Sequence, residues 1–159
     1  LDASKREIHN QMRPMPDAAT GHHELMVRRL KQLRRYHRAV TVSTVISRAN
    51  MDGIINIGNN LADYVASGGR LHAWHLYRFI PEGRGGKANS GRLSISDEEF
   101  NSAVTLARSQ YYPFTLFKRP NMRHSSTVDF FWYENNTLCV GSERWKDEDI
   151  VTPCGQAEE

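Results

Sequence analysis

Hydrophobic positions along this chain fall into helical and strand-like periods that alternate. From His22 to Tyr36, Met26, Val27, Leu30 and Leu33 form one apolar stripe, while Arg28, Arg29, Lys31, Arg34 and Arg35 take the opposite face, which predicts an amphipathic helix. Val40–Ile46 is β-branched except at Ser43 and reads as a strand buried on both sides, with small polar groups on one of them. Ile54, Ile57, Leu61 and Tyr64 predict a second helix, with Asn50 or Asp52 as its cap and Gly68-Gly69 as its stop. Leu71–Ile80 alternates again, with Leu71, Ala73, His75, Tyr77 and Phe79 on one face and His72, Trp74, Leu76, Arg78 and Ile80 on the other. A helix joins these two strands, so they are expected to run parallel with a right-handed crossover.

Ser96-Asp97-Glu98-Glu99 then makes a capping box, flanked by Ile95 and Phe100 as a hydrophobic staple. Phe100, Ala103, Val104 and Ala107 supply the buried stripe of the helix it opens. Pro113–Lys118 reads as a further strand, and Val128–Tyr133 with Thr137–Gly141 as a hairpin turning at Asn135-Asn136. At the start, a short polar helical stretch within Leu1–Arg13 is stopped by Pro14 and Pro16. The fold class is α/β.

Length and composition change this picture little. With 159 residues, 39% of them hydrophobic and 25% charged, the chain can bury one core. A formal net charge of +3 gives weak support to an anionic partner. No apolar run approaches a membrane span, and the polar start LDASKREIHN is no secretory signal. Cys139 and Cys154 are too few for a disulfide framework or metal cluster and suit a reducing cytoplasm.

The chemistry is expected around Leu71–Phe100, where a strand opens into a glycine-rich loop, because α/β sheets bind ligands at the C-terminal ends of their strands. Arg78, Glu82, Arg84 and Lys87 lie there among Gly83, Gly85, Gly86 and Gly91. This is no Walker loop, since Ala88 follows Lys87 where a hydroxyl should hold magnesium. The glycines suit close approach of backbone amides to an anionic or planar ligand, or simply a flexible loop. His72 and His75, three apart on a strand, make a poor metal pair, and no zinc spacing emerges among the other histidines. The basic face of the first long helix is read as a solvated surface, with phosphate binding as the lesser option.

Four stretches in order resemble the radical S-adenosylmethionine superfamily: Leu1-Asp2-Ala3 trailed by Glu7, His9 and Arg13; Thr44-Val45-Ile46 with Asn50; Tyr77–Pro81 with Gly83 and Gly85; and Ile95–Phe100. The resemblance implies that residues 1–141 are the C-terminal portion of a partial (β/α)6 TIM-type barrel with parallel strands and a closing β-hairpin; residues 142–159, acidic and weakly patterned, read as a tail. It implies S-adenosylmethionine as cosubstrate, with Arg13 on its carboxylate, Ile80, Glu82 and Gly83 at its adenine, and Thr44 and Asn50 as further contacts. His75 or Arg78 would meet the substrate, depending on the pleat.

The family's 4Fe-4S cluster sits on a CxxxCxxC loop that this sequence lacks, as it lacks the glycine-glycine-glutamate motif. Both are expected before Leu1 or on a partner chain, so the chain alone is expected to be inactive. Within the family, Arg48-Ala49-Asn50 and Trp74 resemble viperin-like nucleotide-modifying enzymes, and a peptide substrate is equally compatible. No membrane partner is expected. The rival from another class is a non-enzymatic module that binds nucleic acid through Arg28, Arg29, Arg34 and Arg35.

Overall fold

The computed structural model describes residues 1–15 and 21–119 (83 and 84 as backbone), and the backbone of 130–134, 137–141 and 152–153. Its helices are α1 (Arg6–Met12), α2 (His22–Arg35), α3 (Ile54–Ala66, entered through a 3-10 turn at Met51–Gly53), α4 (Gly83–Ala88), α5 (Ser90–Leu93) and α6 (Asp97–Arg108). Its strands are β1 (Ala39–Ile46), β2 (Arg70–Arg78), β3 (Thr115–Lys118), β4 (Phe130–Glu134), β5 (Thr137–Gly141) and β6 (Thr152–Pro153).

The first three strands form a parallel sheet in the order β1-β2-β3, as expected for strands joined through helices. The expected hairpin is present as antiparallel β4 and β5. It does not join the parallel sheet; β6 pairs with its second strand to make a separate sheet. The turn at Asn135-Asn136 and the start of the hairpin at Val128 lie outside the described residues. No described helix is long and apolar enough to cross a membrane.

One face of the parallel sheet carries the core. Val42 and Ile46 of β1 and Trp74 and Leu76 of β2 pack against Ile54, Ile57 and Leu61 of α3 and against Phe100, Ala103, Val104 and Ala107 of α6. Each helix presents the stripe that its sequence period predicts. The capping box is formed, with Ser96 Oγ accepting from the Glu99 N–H at 3.1 Å and Glu99 Oε2 accepting from the Ser96 N–H at 2.7 Å. Ile95 and Phe100 on either side of it are both buried in the core.

The facing of β2 departs from strict alternation. Val40 pairs with Leu71 but Thr41 pairs with Ala73, so His72 is an extra residue. This bulge moves Leu71 to the core face with Trp74 and Leu76, against the expected grouping with Ala73 and His75, because one inserted residue shifts the phase of every position before it.

Two further expectations are corrected. The glycine-rich segment is not an open loop but the two short helices α4 and α5. Glycine disfavours helix, yet here α4 is held against the end of β2: a Cβ on Gly86 would come within 2.9 Å of the Pro81 carbonyl carbon. Asn50 does not cap α3 with its side chain, which turns instead into the sheet edge.

Two helix ends show what the backbone demands. At α3, Gly68 takes φ 91°, and the N–H groups of Gly68 and Gly69 return to Val65 O and Tyr64 O. At α2 the same pair of bonds runs from His37 to Arg34 O and from Arg38 to Leu33 O, but the residue at φ 52° is a histidine. A left-handed L-residue costs about 1–2 kcal/mol. Replacing His37 with Gly is therefore expected to stabilise the chain by about 1 kcal/mol, read as a higher urea midpoint at unchanged slope.

Candidate functional site

A cavity of about 680 Å³ opens at the C-terminal ends of β1 and β2. This lies within the size range of small-molecule sites, about 300–1,000 Å³. Its walls come from the end of α1 (Met12, Arg13), the end of β2 with the turn beyond it (Tyr77, Ile80, Glu82) and the short helices α4 and α5 (Asn89). Arg13, Ile80 and Glu82, far apart in the chain, thus line one space.

What brings Arg13 there is a buried carboxylate. Leu1 lies along the free edge of β1, its nitrogen donating to Ser43 O at 2.9 Å and its carbonyl accepting from Thr44 Oγ1 at 2.6 Å. The next residue, Asp2, is 3% exposed. Its Oδ1 accepts from the Val45 N–H at 2.8 Å, and its Oδ2 accepts from Arg13 Nε at 2.7 Å. Burial alone would raise this carboxyl, but the Arg13 guanidinium, the chain's amino group and the Val45 amide outweigh it and hold it below its ordinary value. Arg13 is bound through Nε only, so among the described residues its two terminal nitrogens are unengaged, on a side chain 50% exposed. That is the fork which binds a carboxylate or phosphate in two places.

The other polar groups of the wall are ordered by neighbours. Arg78 Nη1 pairs with Asp97 Oδ1 at 2.9 Å, which ties the end of β2 to the first turn of α6. Its Nε is buried without a hydrogen-bond partner. Arg92 Nη2 donates to Asn89 Oδ1 at 2.9 Å, and Asn89 Nδ2 donates to Gly85 O at 2.8 Å. Arg13, Arg78 and Arg92 outnumber Glu82 among the lining residues, the first two paired with Asp2 and Asp97 behind them, while Met12, Phe79 and Ile80 make much of the wall apolar. A ligand with an anionic end and a planar or apolar body matches that division.

The remaining expected site residues fall elsewhere. Thr44 is fully buried; its Oγ1 donates to Leu1 O and accepts from Trp74 Nε1 at 2.9 Å. Asn50 is 3% exposed, and its amide donates to Asp2 O at 2.5 Å and Val45 O at 2.8 Å while accepting from the Ser47 N–H at 2.7 Å. The side chains of Thr44 and Asn50 are thus occupied inside the protein, and neither residue lines the cavity. Gly83 opens α4 beside it. His75 lies on the sheet face away from α3 and α6, in register with Ser43 and Phe117, whereas Arg78 points to the helix side and its ion pair. Asp2 and Asn89 were not singled out by sequence reasoning. For Asp2 the signal was available in its place within the first resemblance motif, together with Arg13.

No protein-family model, curated protein or solved structure matches the chain.

Behind Asp2 the rings form a relay. The Asp2 N–H donates to His9 Nδ1 at 3.1 Å, which leaves Nε2 as the proton-bearing nitrogen of neutral His9, 2.7 Å from His22 Nδ1. His9 is fully buried, and burial pushes its ionisation down to about 4. A protonated ring could not accept from Asp2. Between about 6.5 and about 4 the unfolded chain therefore binds more protons than the folded one, so stability falls as pH drops through that window. Urea midpoints are expected to decline from pH 7 to 4.5 in the native chain, and less steeply in His9→Asn, whose Oδ1 can still accept from the Asp2 N–H.

Proposed function

We propose that this chain is the later part of a radical S-adenosylmethionine enzyme, its parallel strands being the last strands of a partial (β/α)6 barrel. The observation that carries this reading is the shared cavity of Arg13 and the Ile80–Glu82 turn. A resemblance noted in two separate stretches of sequence requires them to meet at one cosubstrate, and both stretches line one cavity. In this reading the free fork of Arg13 holds the cosubstrate carboxylate, with Asp2 as the residue that positions it. Ile80 lies against the adenine, and backbone groups of the turn at Glu82 and Gly83 take its edge.

Bound at an iron–sulfur cluster, S-adenosylmethionine supplies a carbon-centred radical that removes hydrogen from a substrate. The described residues fit the cosubstrate but not the cluster, since no group of three histidine, cysteine or acidic side chains among them can hold a metal. The ligands would come from a CxxxCxxC segment or partner chain outside this sequence, in a reducing compartment such as the cytoplasm. This chain's own part is to bind, orient and shield the cosubstrate. The substrate, a small molecule or a peptide, would lie over His75 on the sheet face away from the helices.

A second reading rests on α2, where Arg28, Arg29, Lys31 and Arg35 are exposed and form no ion pair among the described residues. Such a face suits nucleic acid bound through phosphates, and it predicts affinity that falls steeply with salt.

The cosubstrate reading is tested by calorimetry. S-adenosylmethionine is expected to bind the chain, and Arg13→Gln to weaken it at least about tenfold, or about 1.4 kcal/mol. Equal affinity in the two proteins would remove the reading. Charge reversal at Arg28 and Arg29 is expected to leave that affinity unchanged and to abolish any salt-dependent RNA binding.

A further inference from the structure

The helices α3 and α6 pack on one face of the parallel sheet. Register defines the other face in two rows. Ser43 pairs with His75 and His75 with Phe117; one step of alternation further, Val45 pairs with Tyr77, and Arg119 follows Phe117 by two. The Arg119 N–H continues the ladder to Leu76 O at 2.9 Å. Lys118 goes the other way, its Nζ reaching Asn101 Oδ1 of α6 at 2.6 Å, which leaves Arg119 on the face of His75 and Tyr77.

Three rings lie together on this face. His75 meets Phe117 edge to face at 5.3 Å and sits 6.4 Å from Tyr77, and the Phe117 side is 42% exposed. Val45 and Tyr77 also line the cavity, so the ring cluster opens off it. The two rows contain no carboxylate. Arg119 makes no ion pair among the described residues, and its Nε is buried with no hydrogen-bond partner. A buried guanidinium N–H without an acceptor costs free energy, and a native protein retains such a group where something else completes it. Burial, then the charges of Arg119 and His72, push the ionisation of His75 down. Burial and the neighbouring charge thus favour the neutral imidazole, beside a cation that has no carboxylate partner among the described residues.

We propose that this face is a binding site for an aromatic anion, with the ring of the ligand against His75, Tyr77 and Phe117 and its phosphate or carboxylate on Arg119. The placement as a substrate site rests on the reading above and gives that substrate its chemical class. The binding residues are different ones, so the two can fail separately. Stacking on three rings and a charge-assisted bond to the Arg119 guanidinium act on opposite ends of one molecule, so neither a bare anion nor a neutral ring satisfies both.

The test is an NMR titration of the chain with phenyl phosphate, followed at the His75 and Phe117 rings. Phenyl phosphate is expected to shift both and to raise the ionisation of His75, since an anion beside the ring favours its charged form. Inorganic phosphate and benzyl alcohol are each expected to bind at least about tenfold more weakly. Arg119→Gln is expected to weaken phenyl phosphate at least about tenfold, while Arg119→Lys, which keeps the charge, loses less. Arg13→Gln leaves this binding within about twofold although it weakens S-adenosylmethionine. Unmoved His75 and Phe117 resonances, or equal affinity in a folded Arg119→Gln protein, would overturn the proposal. Phenyl phosphate binding as described in a chain that ignores S-adenosylmethionine would uphold this site and remove the cosubstrate reading.

Discussion

A single buried carboxylate holds the site end of this molecule together. Asp2 takes the Val45 N–H with one oxygen and the Arg13 Nε with the other, so one side chain joins the edge of β1 to the end of α1. Taking a carboxylate out of water is costly, and the cost is met only when both oxygens are well paired. Here they are, and the backbone on either side is tied as well: the Asp2 carbonyl to Asn50 and its N–H to His9. The arrangement leaves Arg13 little choice of direction. Its guanidinium is clamped at the inner nitrogen, on a residue that lines the cavity.

The opposite wall is set by a different device. Arg78 at the end of β2 reaches Asp97 at the start of α6, immediately after the Ser96 cap. The best-defined helix start in the chain is thus fastened to the strand end that shapes the cavity. Between the walls, α4 lies so close to Ile80 and Pro81 that only a glycine fits at position 86. The cavity therefore has a clamped cation on one side, a braced strand end on the other, and a floor fixed by backbone contact. Such rigidity lowers the ordering cost of binding a small ligand.

Much of this fold was legible in the sequence because its periods are strong. The apolar stripes of α2, α3 and α6, the capping box at Ser96 and the β-branched run of β1 each depend on neighbours a few residues away. The features that escaped depend on partners far along the chain. Asn50 has the composition of a cap, but its amide is drawn to the Asp2 and Val45 carbonyls, the first of which lies across the chain. The glycines at 83, 85 and 86 read as a loop because their helix is held by packing rather than propensity. Of the candidate site, the sequence pointed to Arg13, Ile80 and Glu82, which line one cavity. No local pattern announces that the Thr44 hydroxyl is taken up by a tryptophan thirty residues on.

The extra residue at His72 has a consequence for how this strand can be related to others. Upstream of it, Leu71 occupies the phase that Trp74 and Leu76 occupy downstream. A regular strand laid beside this one without a gap would exchange its inward and outward positions on one side of that point. Correspondence of interior residues therefore has to be anchored from the Trp74–Arg78 end, where the ladder is continuous up to the cavity, and opened by one place at His72 before it is carried back to Arg70.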